Sequence, residues 1–225
     1  MPNMGIFDVL GPIMIGPSSS HTAGAARLGK IAKTIVNKPI KEVIFLLHGS
    51  FKETYKGHGT DRALVAGILG MLPNDARLKD SIDIAEEQNI SLKFLPCDLG
   101  QAHPNTVKFL ITDINDTQWE IAGSSIGGGM VEINEINGNK VKITGQNPTI
   151  ITSHEDVPGT VSKISTLLYN NAINIASMNL MRSVKGKDAT MTLEIDNTAT
   201  ENVVKQLVAL EGVNNVIVIN SLGGN

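Results

Sequence analysis

Between Ala23 and Val36 the apolar residues Ala25, Ala26, Leu28, Ile31, Ala32 and Ile35 recur at helical spacing, until Asn37, Lys38 and Pro39 stop the pattern. "EVIFLLHG" follows as a continuous apolar run and predicts a buried strand ending at Gly49. A polar, glycine-containing connection, "SFKETYKGHGT", then feeds a second predicted helix, "DRALVAGILGM". A third helix is expected from Asp75 to Gln88, with Leu78, Ile82 and Ala85 on one face, and after it the strands "ISLKFLP" and "TVKFLIT". "WEIAGSSIGGGMVEINEING" predicts two strands around a glycine cluster, because Val131, Ile133 and Ile136 roughly alternate with polar positions.

Turn formers in "TGQNPT", Thr144 to Thr149, mark a boundary. We place one domain at 1–146 and a second at 147–225. The second reads strand "TIITSHE", helix "VPGTVSKISTLLYNN", strand "AINIASMNLMRSV", strand "DATMTLEID", helix "ATENVVKQLVAL" and strand "VNNVIVIN". That βαββαβ order in about seventy residues predicts a ferredoxin-like sandwich, an antiparallel four-stranded sheet with two helices on one face. The fold class is therefore α+β: a mixed α/β domain followed by the sandwich.

Composition narrows the function classes. With 41% hydrophobic and 18% charged residues the chain has the make-up of an ordinary globular protein, and it contains no apolar run long enough to span a membrane. Met1 to Leu10 lacks the basic start and continuous apolar core of a secretory leader, so a cytoplasmic location is expected. A net charge of -3 offers no broad basic surface for a phosphate backbone, which argues against nucleic acid as a partner. The single cysteine, Cys97, excludes an internal disulfide and cannot supply the several thiolates of a typical zinc or iron-sulfur site. It reads as a small filler and is given no role.

The chemistry concentrates in three polar segments. "GPSSSHT" stands just before the first helix, where unpaired N–H groups and partial positive charge accept either a capping hydroxyl or a carboxylate. One serine suffices for a cap, so Ser18, Ser19, Ser20, His21 and Thr22 read either as an anion site or as a decorated cap. "KGHGTDRALVAG" places His58 between glycines before the second helix, as a candidate general base or a solvent-exposed loop histidine. In "QAHPNTVKF", Pro104 restrains His103, and Asn105 follows, which fits rigid presentation of side chains or a simple turn. Gly127, Gly128 and Gly129 lack the Gly-x-Gly-x-x-Gly spacing and lead toward a strand, so they read as a turn or bulge and not as a dinucleotide fingerprint.

Taken together, "GPSSSHT", "HGSF" at His48 to Phe51, "GHGTDRALVAG" at Gly57 to Gly67, "HPNT" at His103 to Thr106 and "GSSIGGG" at Gly123 to Gly129 resemble the beta subunit of the iron-sulfur-dependent L-serine dehydratases. The resemblance implies a 4Fe-4S cluster whose ligands lie on a separate alpha subunit, and L-serine as substrate. In the family chemistry a cluster iron acts as Lewis acid toward the serine hydroxyl while a base removes the alpha proton. The enamine so formed tautomerises to an imine and hydrolyses to pyruvate and ammonia. Carried onto this chain, the resemblance implies His58 as the proton-transfer residue. Ser18, Ser19, Ser20, His21 and Thr22 become the wall that holds substrate carboxylate or amine, with His103 and Asn105 as further substrate-binding candidates. No lysine stands in a recognisable pyridoxal phosphate setting.

From about Thr149 the chain resembles an ACT domain, a small-molecule sensor. The positions matching a ligand-binding ACT domain are His154, Asp156 and Gly159 in "SHEDVPG" and Asn174 in "AINIAS". An acid at Asp156, where an amide also occurs in such domains, favours an ammonium group or a monovalent cation. A homo-oligomer through this domain is expected, because an exposed sheet edge offers a partner for another. Two competing readings remain: a sensor module like that of certain phosphoglycerate dehydrogenases, and a structural partner that stays out of an alpha subunit's active site.

Overall fold

The computed structural model describes residues 13–182 and 186–219. The Met1 to Leu10 segment, in which no leader is expected, lies outside them, as do Ser183 and Val184 at the end of one predicted strand and Asn220 at the end of another. The chain divides into two compact units, one ending at Asn137 and one beginning at Gly138.

The first unit is built on β1 (Ile40–Leu47), β2 (Ser91–Pro96), β3 (Thr106–Asp113), β4 (Gln118–Gly127) and β5 (Met130–Ile136), hydrogen-bonded in the order β2-β1-β3-β4-β5. β1 runs parallel to β2, and the other neighbours are antiparallel. Alternation decides the faces. Val43, Phe45 and Leu47 of β1 and Val107, Phe109 and Ile111 of β3 are buried together, while the residues between them are half-exposed or exposed. Phe45 pairs in register with both Phe94 and Phe109, stacked on the first at 4.6 Å and edge-on to the second at 5.6 Å. Burying a ring of this kind contributes roughly 1.5–3 kcal/mol.

The helices are α1 (Ala25–Val36), α2 (Gly49–Thr54), α3 (Thr60–Ile68) and α4 (Ser81–Glu87). Leu28 of α1 reaches the sheet at Gly123, where a Cβ would stand 2.8 Å from its Cδ2. Helices α1 and α3 lie side by side and point the same way, with the backbone at Gly29 against Leu64 and Gly67.

The structure differs locally from the sequence reading in three places. The strand at "EVIFLLHG" ends at Leu47, and Gly49, at φ +54°, starts the short helix α2 inside what reads as a loop. The helix expected over Asp75 to Gln88 is split into a 3₁₀ turn, Ala76–Asp80, and α4. Asp75 caps the 3₁₀ turn: its carboxylate accepts from the Arg77 backbone N–H at 2.9 Å and pairs with the Arg77 guanidinium at 2.7 Å. A strand not expected from the sequence, β6 (Asn139–Ile143), opens the second unit.

The rest of that unit is β7 (Thr149–Glu155), α5 (Thr160–Asn170), β8 (Ile175–Arg182), β9 (Asp188–Ile195), α6 (Glu201–Val208) and β10 (Val213–Ile219). The strands form an antiparallel sheet in the order β10-β7-β9-β8. Its core gathers Ile150, Met191, Leu193 and Ile195 from the sheet with Ile164, Leu168, Val203 and Leu207 from the helices. This is the ferredoxin-like sandwich expected from the βαββαβ order.

Candidate functional site

The serine run folds as a single π-helical turn, Ser19–Gly24, continuing directly into α1. Ser18 is extended and caps it: its hydroxyl accepts from the His21 backbone N–H at 3.1 Å. Its carbonyl accepts from the Thr22 N–H at 2.9 Å. Ser18 thus plays the part of the cap, whereas Ser19 and Ser20 stand half-buried in the turn itself. Gly24 makes the turn possible against the sheet, since a Cβ there would collide with the side chain of Ser125, 2.8 Å from its Cβ.

His21 is buried, at 9% exposure, and surrounded by hydroxyls. Ser50 Oγ lies 3.3 Å from its Nε2, and Thr54 Oγ1 and Thr60 Oγ1 lie 3.2 and 3.4 Å from its Nδ1. Phe51 meets the ring edge-on at 5.3 Å. The exposed His58 ring stands against it at 4.8 Å and 78°. Burial, then repulsion from His58, lowers the His21 pKa below the usual imidazole value, and the Asn105 side chain offsets part of this. Thr22 Oγ1 approaches the His58 carbonyl at 3.5 Å. The parallel run of α1 and α3 therefore brings the start of each helix, and the histidine before it, to one place.

Asn105 joins this group through its side chain, and its carbonyl accepts from the Ser125 N–H at 2.9 Å. His103 does not join in the same way. Its exposed ring turns back on its own loop, Nδ1 accepting from the Asn105 N–H at 3.1 Å. The glycine cluster is the turn between β4 and β5: Gly127, Gly128 and Gly129 all have positive φ, and the Gly129 carbonyl accepts from Arg27 at 3.0 Å. Ser125, on the strand leading into it, is fully buried, and its hydroxyl is without a hydrogen-bond partner among the described residues.

Ser50, Thr54 and Ser125 are the site residues that motif reading left without a role. The first two carried a signal: a hydroxyl pair at i and i+4 shares one helix face. It was hidden because "SFKET" reads as a loop.

In the second unit His154 is 1% exposed, with Nδ1 3.2 Å from Thr152 Oγ1. Desolvation lowers its pKa, against smaller upward contributions from the Thr152 backbone and Asp156. Asp156 accepts from Arg182 at 3.2 Å and from the Gly186 N–H at 3.0 Å, so it ties the first loop to the β8–β9 hairpin. Gly159, at φ +96°, starts α5, and Asn174 donates to Asp196 at 2.7 Å. His154 and Asp156 are near enough to interact electrostatically, while the Asn174 amide is engaged elsewhere.

The first unit thus gathers hydroxyls and imidazoles at the starts of two parallel helices, and the second is a four-stranded sandwich of the ferredoxin-like class. The family described as serine dehydratase beta chain matches residues 5–136, and the AHAS small subunit-like ACT domain matches residues 150–215. The chain belongs to the serine dehydratase beta-chain family. It is 41% identical to the probable L-serine dehydratase, beta chain, of Bacillus subtilis (strain 168), over 92% of this chain and 94% of that one. It is 42% identical to the L-serine dehydratase, beta chain, of Peptoniphilus asaccharolyticus, over 94% and 96%. A D-3-phosphoglycerate dehydrogenase of Methanocaldococcus jannaschii is 26% identical over 92% of this chain and 39% of its own length.

A 4Fe-4S cluster is held by several cysteine thiolates. This chain has one cysteine, and its described residues contain no group of three or more His, Cys, Asp or Glu side chains placed to hold a metal. The donor set here does not fit the cluster. No helix among the described residues is long and apolar enough to cross a membrane.

Proposed function

We propose that this chain is the beta subunit of an iron-sulfur-dependent L-serine dehydratase, converting L-serine to pyruvate and ammonia together with a cluster-bearing alpha subunit in the cytoplasm. The beta-chain domain occupies 1–146 and the ACT domain 147–225. The observation that carries the reading is the His21–His58 contact at the starts of two parallel helices, in a chain 41% identical to a probable serine dehydratase beta chain over nearly its whole length.

His58 takes the alpha proton. Its ring is exposed, so a substrate delivered from another chain reaches it, and the buried His21 sets its back wall. Ser19 and Ser20, in the turn that starts α1, hold the substrate carboxylate, where free N–H groups favour negative charge. Asn105 binds a polar end of the substrate. His103 acts from its own turn, as part of the loop that presents Asn105.

The ACT domain senses a small ligand at His154, Asp156, Gly159 and Asn174, with L-serine or a monovalent cation as candidates, and pairs two copies of the chain. A sensor-only reading draws on the 26% likeness to a phosphoglycerate dehydrogenase. One experiment separates the two: anaerobic coexpression with the candidate alpha subunit and a pyruvate assay on L-serine with and without this chain. Turnover that needs both chains, and that falls about 100-fold or more in His58→Ala, supports the assignment. A cluster-loaded, intact complex without activity rejects it. A His58→Ala enzyme within a few-fold of wild type removes the base assignment alone.

A further inference from the structure

The "HGSF" segment has no part in the reading above, although every one of its residues touches the site or its supports. His48 donates its backbone N–H to the Thr106 carbonyl at 3.0 Å. Gly49 lies against the loop that carries Asn105: a Cβ would fall 2.6 Å from the Pro104 carbonyl oxygen and 2.8 Å from its Cα. Phe51 is fully buried and meets His21 edge-on. Ser50 reaches Nε2 of His21, and Thr54, one helical turn later, reaches Nδ1.

Counting protons decides what these contacts are. A threonine hydroxyl has one proton, and that of Thr54 is committed to the Ser50 carbonyl at 2.8 Å. Toward His21 Nδ1, 3.2 Å away, Thr54 therefore presents only a lone pair. Nδ1 must supply the hydrogen. A neutral imidazole carries one N–H, so Nε2 is an acceptor, and the Ser50 hydroxyl at 3.3 Å donates to it. Thr60 Oγ1, fully buried, stands farther from Nδ1, at 3.4 Å, and the Asn105 side chain also bonds to the ring. The lowered pKa of His21 agrees with a ring that stays neutral.

We infer that Ser50 and Thr54 are positioning residues that hold His21 as the neutral Nδ1–H tautomer, with the Nε2 lone pair directed at Ser50. Their role in turnover rests on the dehydratase reading, whereas the tautomer does not. Ser50, having given its proton to the ring, then offers only lone pairs to a substrate, so a group that meets Ser50 is a donor, an ammonium or a hydroxyl.

The test needs no alpha subunit. Long-range ¹H–¹⁵N correlation spectra of the full chain labelled at histidine, recorded above the imidazole titration and with His21 assigned by its loss in His21→Gln, report which ring nitrogen is protonated. The expected pattern is a protonated Nδ1 and an unprotonated Nε2, retained in Thr54→Ser and lost to the other or to an averaged pattern in Thr54→Val. A wild-type spectrum with protonated Nε2 overturns the inference whether or not any variant folds. In the reconstituted two-chain enzyme, Thr54→Val lowers kcat on the order of 10-fold or more through the wrong tautomer, and Thr54→Ser restores it. If the spectra hold and kcat does not move, the tautomer stands and the positioning role is withdrawn.

Discussion

Gly29 and Gly67 meet backbone to backbone: a Cβ on Gly67 would lie 2.8 Å from the Gly29 Cα, and one on Gly29 would lie 3.0 Å from the Gly67 Cα. No side chain separates α1 from α3 at this point, and this contact sets how close the two histidine-bearing starts come. Gly67→Ala forces the helices apart, because the nearest atoms are backbone and cannot swing away. The expected cost is about 1–3 kcal/mol, read from urea unfolding with an unchanged m-value. His58 then moves from His21, so the variant loses turnover in excess of its unfolded fraction at the assay temperature. Equal stability of Gly67→Ala and wild type would falsify the contact.

Stability should fall as the solution is acidified, and the sign follows from two buried histidines. His21 and His154 both have folded-state pKa values below the ordinary 6.5, each chiefly from desolvation. Above that value both states are neutral and the histidines impose no penalty. As pH falls below it, the unfolded chain takes up protons that the folded chain refuses, so stability drops until the folded-state values are also passed. Melting temperature recorded from about pH 8 to about pH 5 should decline in that window, and His154→Asn should flatten part of the slope. A melting temperature that rises on acidification through this range contradicts the assignment.

Ser18 and Ser20 should separate by what they change. Removing the hydroxyl that caps the His21 N–H in Ser18→Ala should cost about 0.5–2 kcal/mol, whereas Ser18→Gly costs only a few tenths. Ser20→Ala should leave stability within about 0.5 kcal/mol and raise KM for L-serine in the two-chain enzyme. Denaturation and steady-state kinetics on the same preparations decide this. Matching losses of stability at the two positions would mean that the run is a cap and nothing more.

How legible this was in the sequence depended on the range of the interaction. The sandwich could be read strand by strand, since its periodicity is local and its core residues, Ile150, Leu193 and Leu207 among them, sit where alternation or helical spacing puts them. The polar segments holding His21, His58 and Asn105 were also visible, because glycines, serines and a proline marked them. What could not be read was their convergence. The His21 cage takes Ser50 and Thr54 from a helix of six residues, too short to declare a period, and Thr60 from the far side of a loop. The fourth wall, with Ser125 against Gly24, depends on a sheet register more than a hundred residues along the chain from the turn it supports. The break at Asp80, between the 3₁₀ turn and α4, was missed because the apolar spacing of Leu78, Ile82 and Ala85 runs straight through it.

The contact at Gly29 and Gly67 also sets the character of one wall of the site. Two helices touching through their main chains cannot slip past one another by a fraction of a turn, so the wall they form behaves as one piece. The opposite wall is of another kind: α2 is barely more than one turn long, and it is attached through Gly49 to the Pro104 loop. Because Phe51 is buried and Gly49 is seated on the Pro104 backbone, α2 and the Pro104–Asn105 turn are held to each other by packing, so a side chain altered in one is felt in the other.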